Sequence, residues 1–263
     1  MIGDYSTVDI ASALETAGLH RGDVVFSHSN IGYFGRHSTA KTAFELCEAF
    51  AQGFQSVIGQ EGTLVVPTFS YSFGSDKPEK VFDVARTPGV CGTFTEYLRK
   101  RQDSIRSADP MFSIVAIGAH AEYFTRNADP ECFGENSFWR RFLDARGIFC
   151  NLNLDASSTF IHFVERRIGV PYRQNRVFSG AIVDGGLCRE AMVTYFSRSL
   201  DDNAAVPSTQ RFDEVAREAN LVRTSSLGRG AIVTISAEST ARLIRERIEI
   251  EPRFLTVSGA KVT

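Results

Sequence analysis

Apolar and polar positions along the chain follow two alternating rhythms. "STVDIASALETAGL" predicts a first helix, opened by Ser6 and Asp9 in capping-box spacing. "DVVFSHS" follows as an apolar strand that ends in small polar residues. "STAKTAFELCEAFAQGFQSVI" places apolar residues at helical spacing, and "GTLVVPTFS" is a second strand of the first kind. Beyond a long irregular stretch at 74–90, the pattern predicts a helix at "GTFTEYLRKR" and a strand at "FSIVAIG". Short helices near 119–126 and 137–145, a strand at "GIFCNL" and a helix within "DASSTFIHFVERRIGVPYR" come next. Loops as long as 74–90 are often functional.

From residue 175 the texture changes. "RVFSGAIVDGGLCREAMVTYFSRSL" reads as two strands joined at Asp184-Gly185-Gly186, a hairpin signal. "TQRFDEVAREANL" is a helix, "VRTSSLGRGAIVTI" a hairpin around Gly228-Arg229-Gly230, and "AESTARLIRERI" a last helix. Strands and helices alternate first and hairpins follow. The fold class expected is therefore α/β, one domain over 1–263 with a mixed central sheet and helices on both faces. Its alternating part spans about 1–170 and its hairpin-rich part about 171–263.

Composition narrows the function. The 263 residues are 43% hydrophobic and 23% charged, with a net charge of −2, which favours neither nucleic acid nor an acidic membrane as partner. No run approaches the roughly 20 apolar residues of a membrane span. The first twenty residues carry early acids and lack the apolar core of a signal peptide. Five scattered cysteines without ligand spacing speak against a disulfide framework or a zinc site, so a cytoplasmic protein with no metal is expected. There is no G-x-G-x-x-G after a strand, no P-loop and no G-x-S-x-G elbow.

Polar stretches after the strands are the candidate chemistry: "SHSNIGYFG" (27–35), "PTFSYSF" (67–73) and "RSADPMFS" (106–113). Ligands of α/β sheets bind at the carboxyl ends of strands. The plainer reading of such stretches is a set of turns. Of the five histidines, His28 closes an apolar strand and His162 lies among Phe160, Ile161, Phe163 and Val164. Ser157 or Ser158 is a natural N-cap, which places His162 in the first turn of its helix. The positive end of a helix disfavours imidazolium and suits a neutral base. Thr159, His162 and Glu165 share one helix face; the plainer reading is a core histidine with Glu165 as its surface partner. Arg173 could clamp a phosphate or carboxylate, or simply sit in a basic turn.

The ordered stretches "GDVVFSHSNIGYFG", "GTLVVPTFSYSF", "FDVARTPGVCGTFTEYLRKR", "RSADPMFSIVAIG", "FGENSFWRRFL" and "TFIHFVE" resemble the aminoglycoside 3-N-acetyltransferase family, from about residue 8 to residue 250. That is the antibiotic N-acetyltransferase fold, distinct from the GNAT fold. "VPYRQNRVFSG" resembles the branch associated with amino-sugar modification. The resemblance implies acetyl-CoA as co-substrate and a small-molecule amine as acceptor, with a homo-oligomer also open. His162 matches the catalytic histidine in T-x-x-H-x-x-E. Ser27, His28, Ser29, Asn30 and Gly32 match a first loop close to CoA, and Arg106, Ser107 and Ser113 a second, with Thr159 beside them. Thr68, Ser70, Tyr71, Asp109, Tyr172 and Arg173 are expected on the acceptor side. Asp109 stands where many aminoglycoside enzymes carry a histidine. The acid that orients His162 is expected from 201–213, with Asp201, Asp202 and Asp213 as candidates, or from Glu165.

The leading expectation is acyl transfer to the amine of an amino sugar, free or nucleotide-linked, by direct general-base-assisted attack on the thioester. The alternatives are N-acetylation of an aminoglycoside, a binding protein that has kept the fold without catalysis, and a serine hydrolase.

Overall fold

Strand β1, Val24–Phe26, shows how the fold is divided. Successive side chains of a strand point to opposite faces. In the computed structural model, Val24 and Phe26 enter one core and Val25 enters another. The structure describes residues 3–74, 76 and 79–257.

A seven-stranded mixed sheet runs in the order β4-β5-β2-β1-β6-β10-β9. Its centre is parallel: β1 lies between β2 (Thr63–Pro67) and β6 (Ile148–Leu152). Antiparallel pairs flank it. On one side are β5 (Ile114–Gly118) and β4 (Ile105–Arg106), on the other β10 (Gly230–Ser236) and β9 (Arg223–Leu227).

Helices cover both faces. On one lie α1 (Thr7–Thr16), α2 (Ala43–Ile58) and α3 (Thr93–Arg99), packing Leu14, Phe50, Phe54 and Leu98 on Val25, Val66 and Leu152. The capping box at Ser6 and Asp9 forms, and Thr42 with Glu45 makes a second at the start of α2. On the other face lie α4 (Ala121–Thr125), α5 (Phe138–Asp144), α6 (Ile161–Ile168), α7 (Gln210–Glu218) and α8 (Ala237–Ile250). This second core is strongly aromatic: Phe26 packs on Phe138, Trp139, Phe142 and Phe149 at 5.3–6.0 Å between ring centroids. No helix among the described residues is long and apolar enough to cross a membrane.

The long hairpin departs from the expectation of one sheet. β7 (Arg173–Asp184) and β8 (Leu187–Arg198) form a separate three-stranded sheet with β3 (Val81–Asp83), which pairs parallel to β7. Its turn is the expected Gly185-Gly186, both at positive φ (57° and 83°), which a two-residue hairpin loop requires. β3 comes from the 74–90 stretch read as irregular; residues 75, 77 and 78 of that stretch lie outside the described residues. A three-residue strand is too short to show a period of two, so nothing in the local pattern announced it. β4, at two residues, escaped for the same reason.

Phe26 touches four aromatic neighbours of this core, so Phe26→Ala is expected to lower stability by about 3–5 kcal/mol. The shift of the urea unfolding midpoint measures it.

Candidate active site

The parallel strands β1 and β6 end side by side. The Leu152 N–H donates to the His28 carbonyl, and the Asn30 N–H donates to the Leu152 carbonyl, both at 2.9 Å. Asn151, buried in β6, donates through Nδ2 to the carbonyls of Asp155 (2.6 Å) and Ser157 (2.8 Å). Asp213 accepts the Ala156 N–H at 2.8 Å. These bonds shape the loop that delivers α6. The serines do not cap that helix: its N-cap is Phe160, and the first turn closes through the carbonyls of Ser158 and Thr159. His162 is nevertheless the second residue of α6, in the first turn. Gly169, left-handed at φ 75°, ends the helix and lets the chain turn into β7.

One turn after His162, Glu165 is fully buried and gathers three groups. His162 Nδ1 stands 2.7 Å from Oε2, and the Tyr172 hydroxyl donates to Oε1 at 2.7 Å. Arg173 Nε lies 2.6 Å from Oε2, and its Nη2 lies 3.4 Å from His162 Nε2. Burial lowers the affinity of His162 for a proton, and the Arg173 charge lowers it further, against the opposing pull of Glu165. Burial alone would raise the Glu165 carboxyl; the His162 hydrogen bond, the Arg173 charge and the Tyr172 hydrogen bond outweigh it and hold the acid below its ordinary value. Against an acceptor-only carboxylate, a neutral imidazole makes this hydrogen bond with its proton on Nδ1 and its lone pair on Nε2.

His162 and His28 line one cleft of about 400 Å³ with Ser157, Ser158, Thr159 and Asp155. The His28 ring sits between Phe26 (5.1 Å) and Phe69 (6.5 Å), and burial pushes its pKa down to about 4. Rings connect the two histidines by a second route. His162 contacts Phe133 at 5.7 Å, Phe133 contacts Phe112 at 4.9 Å, and Phe112 contacts Phe69 at 5.2 Å and Tyr71 at 5.4 Å. Tyr195 packs on both Phe112 and Phe133. Tyr71 has a positive φ of 50°, an uncommon backbone state for an aromatic residue.

Several expected site residues have other places. Asp201 is exposed, Asp202 caps Ala204 and pairs with Arg253, and Asp213 pairs with Arg217 besides holding Ala156. The carboxylate on the His162 ring is instead Glu165, three residues along the same helix, because the first turn of α6 points both side chains at β7. Tyr172 and Arg173, expected to meet the acceptor, turn inward onto that carboxylate. Arg106 does not face the cleft: its guanidinium donates to the carbonyls of Val84, Thr87 and Thr68 and to the hydroxyls of Thr68 and Ser113. This knot ties together the loops after β2 and β3. Ser107 accepts the Ile114 N–H, Ser70 donates to the Pro110 carbonyl, and half-buried Asp109 caps the Met111 and Phe112 N–H groups. Ser27 is wholly buried, while Asn30 is exposed and Gly32 lies in the short 3-10 turn that follows.

Asn151, Phe133 and Tyr195 went unnoticed in the sequence. Asn151 had a signal: a polar residue at the carboxyl end of an apolar strand, as with Ser27 and His28. Phe133 and Tyr195 had none.

A family model described as aminoglycoside 3-N-acetyltransferase matches residues 26–249. The chain belongs to that family. Among solved structures, aminoglycoside acetyltransferase AAC(3)-Xa is 20% identical over 92% of each chain, with a TM-score of 0.79. AAC-IIIb, solved with CoASH, is 21% identical over 93% of this chain and 96% of its own, at 0.78. YokD from Bacillus subtilis is 20% identical over 93% of each, at 0.75. These likenesses establish the antibiotic N-acetyltransferase fold.

The state of His28 has a measurable consequence. Below about pH 6.5 the unfolded chain takes up a proton that the folded ring refuses until about pH 4. Its contribution to stability is therefore complete above pH 6.5 and is lost as pH falls through that window. Asp109, pushed up to about 6 by burial, acts in the opposite sense. His28→Asn should make the decline in urea midpoint between about pH 7 and pH 5 shallower than in the wild type. Parallel declines would show that the ring titrates freely in the folded protein.

Proposed function

We propose that the protein is an acetyl-CoA-dependent N-acetyltransferase acting on the amine of an amino sugar, with His162 as general base. The observation that carries the reading is the His162–Glu165 pair: a neutral imidazole on a buried carboxylate, lining an open cleft. An amine is mostly protonated near neutral pH, and only its free base attacks a thioester. His162 Nε2 takes that proton, directly or through water, and Glu165 stabilises the imidazolium that results.

The cleft residues fit an acyl donor. His28 Nε2, Ser29 Oγ and Ser158 Oγ are buried polar atoms without a hydrogen-bond partner among the described residues, at the ends of β1 and at the entry to α6. Ser29, Ser158 and Thr159 are the residues proposed to hold it. Acetyl-CoA supplies an acyl group already activated as a thioester. Family membership supports the same donor, and AAC-IIIb was solved with CoASH.

For the acceptor, the exposed Tyr71 ring, at the end of the run of rings that starts beside His162 at Phe133, offers an aromatic face for a sugar ring. Asp155 is the one carboxylate among the described residues lining the cleft, and Glu165 is neutralised by Arg173, which suits an acceptor with few positive charges. The second reading is an aminoglycoside acceptor. It draws on the family description and on AAC-VIa, solved bound to sisomicin. The cysteines described are free thiols, which suits a reducing cytoplasm.

His162→Ala is expected to keep its circular dichroism spectrum and CoA binding while losing about 10²–10⁴ in turnover. Unchanged turnover would remove His162 from the mechanism. Thiol release from acetyl-CoA, measured across free amino sugars, nucleotide-linked amino sugars and aminoglycosides, decides the acceptor. Release with aminoglycosides alone establishes the second reading, and release with none of them leaves a binding protein.

A further inference from the structure

Glu165 is engaged more heavily than an orienting acid requires. One hydrogen bond to Nδ1 suffices to set the tautomer of an imidazole. Here Tyr172 and Arg173 also converge on the carboxylate, and both come from the entry to β7 rather than from α6. The Arg173 side chain is only 2% exposed. Its Nη1 donates to the Phe196 carbonyl at 3.1 Å, its Nε meets Glu165, and its Nη2 stands against His162 Nε2. One guanidinium thus touches both the acid and the far nitrogen of the base. Burying a cation is costly, and anchoring β7 to α6 needs no charge beside that nitrogen.

Resting on the reading of His162 as the base, we infer that Arg173 is a positioning residue that braces Glu165 and, by balancing its charge, keeps the His162 ring neutral with Nε2 free of hydrogen. A hydrogen on Nε2 would face the Nη2 donor, so the proton stays on Nδ1 against the carboxylate. The charge balance acts in the same direction. Glu165 and Arg173 cancel, so the buried cluster is neutral only while the imidazole is neutral. Without Arg173, the uncompensated carboxylate would draw a proton onto His162 and occupy the base at neutral pH.

The other groups around the ring do not disturb this balance. Tyr172 is held as a phenol by burial and the neighbouring Glu165, and burial also raises the Tyr195 hydroxyl. His28 across the cleft is neutral, the buried Cys132 thiol is pushed well up, and Asp155 is occupied with Ser157. Arg253, over the Tyr172 ring at 5.9 Å, is paired with Asp202.

The test is a ¹⁵N NMR titration of the His162 ring in the protein without substrates, in wild type, Arg173→Gln and Arg173→Lys. With five histidines in the chain, the His162 signals are assigned by their loss in His162→Ala. The wild-type ring should show a protonated Nδ1 and a bare Nε2 at neutral pH. In Arg173→Gln the ring should take up its second proton at least about one pH unit higher, and the acid limb of kcat/KM should move up with it. Arg173→Lys, which retains the positive charge beside Glu165, should keep the ring neutral and its titration close to that of the wild type. A ring that titrates in Arg173→Gln as in wild type, with turnover lowered by one factor at every pH, would reduce Arg173 to a structural anchor. If Arg173→Gln fails to fold, a ring in Arg173→Lys that takes up its second proton about one pH unit higher despite the retained charge overturns the inference. Full turnover in His162→Ala would instead sink the base assignment and leave the tautomer result standing.

Discussion

The buried carboxylate of Glu165 is the constraint to which the rest of the site answers. A charge at this depth is tolerable only if hydrogen bonds and an opposite charge surround it. Its three partners come from two places: His162 from the helix that follows the central strand β6, Tyr172 and Arg173 from the entry to β7 of the second sheet. The carboxylate therefore joins the two sheets, and neither contributes a working site alone.

A chain of contacts extends outward from it. Arg253 lies over the Tyr172 ring and is held by Asp202, and Asp213 holds the loop that leads into α6. Two of the acids expected to touch His162 thus support the site at a distance, Asp202 through Arg253 and Asp213 through the loop before α6. A comparable arrangement lies beyond the first core: the Arg106 knot fixes the loops after β2 and β3, and the buried rings of Phe69 and Phe112 pack there with Tyr71. Residues that look like ligand contacts in the sequence, Arg106, Ser107 and Asp109 among them, serve here to hold loops.

The helices and central strands were legible because each obeys one period over enough residues to register: α2 over sixteen residues, β2 over five fully buried ones. The Gly185-Gly186 and Gly228-Arg229 turns were legible because hairpin loops require unusual backbone angles. β3 and β4 were not, being too short for any period. His162 stood out because an ionisable residue among phenylalanines in a first helical turn is chemically conspicuous. Asp201, Asp202 and Asp213 were plausible partners only because nothing in a linear chain distinguishes a carboxylate that meets a ring from one that caps a turn.

Local pattern by itself determined the order and type of the main elements, the two-faced α/β arrangement, and the helix position that favours a neutral imidazole. These depend on periodicity, turn chemistry and the helix dipole, which act within a few residues. Only the tertiary structure decided that the long hairpin leaves the central sheet, that Glu165 rather than an acid from 201–213 meets His162, and that Arg173 faces inward. Those outcomes depend on which charges are buried together, and burial is a property of segments brought together from distant parts of the chain.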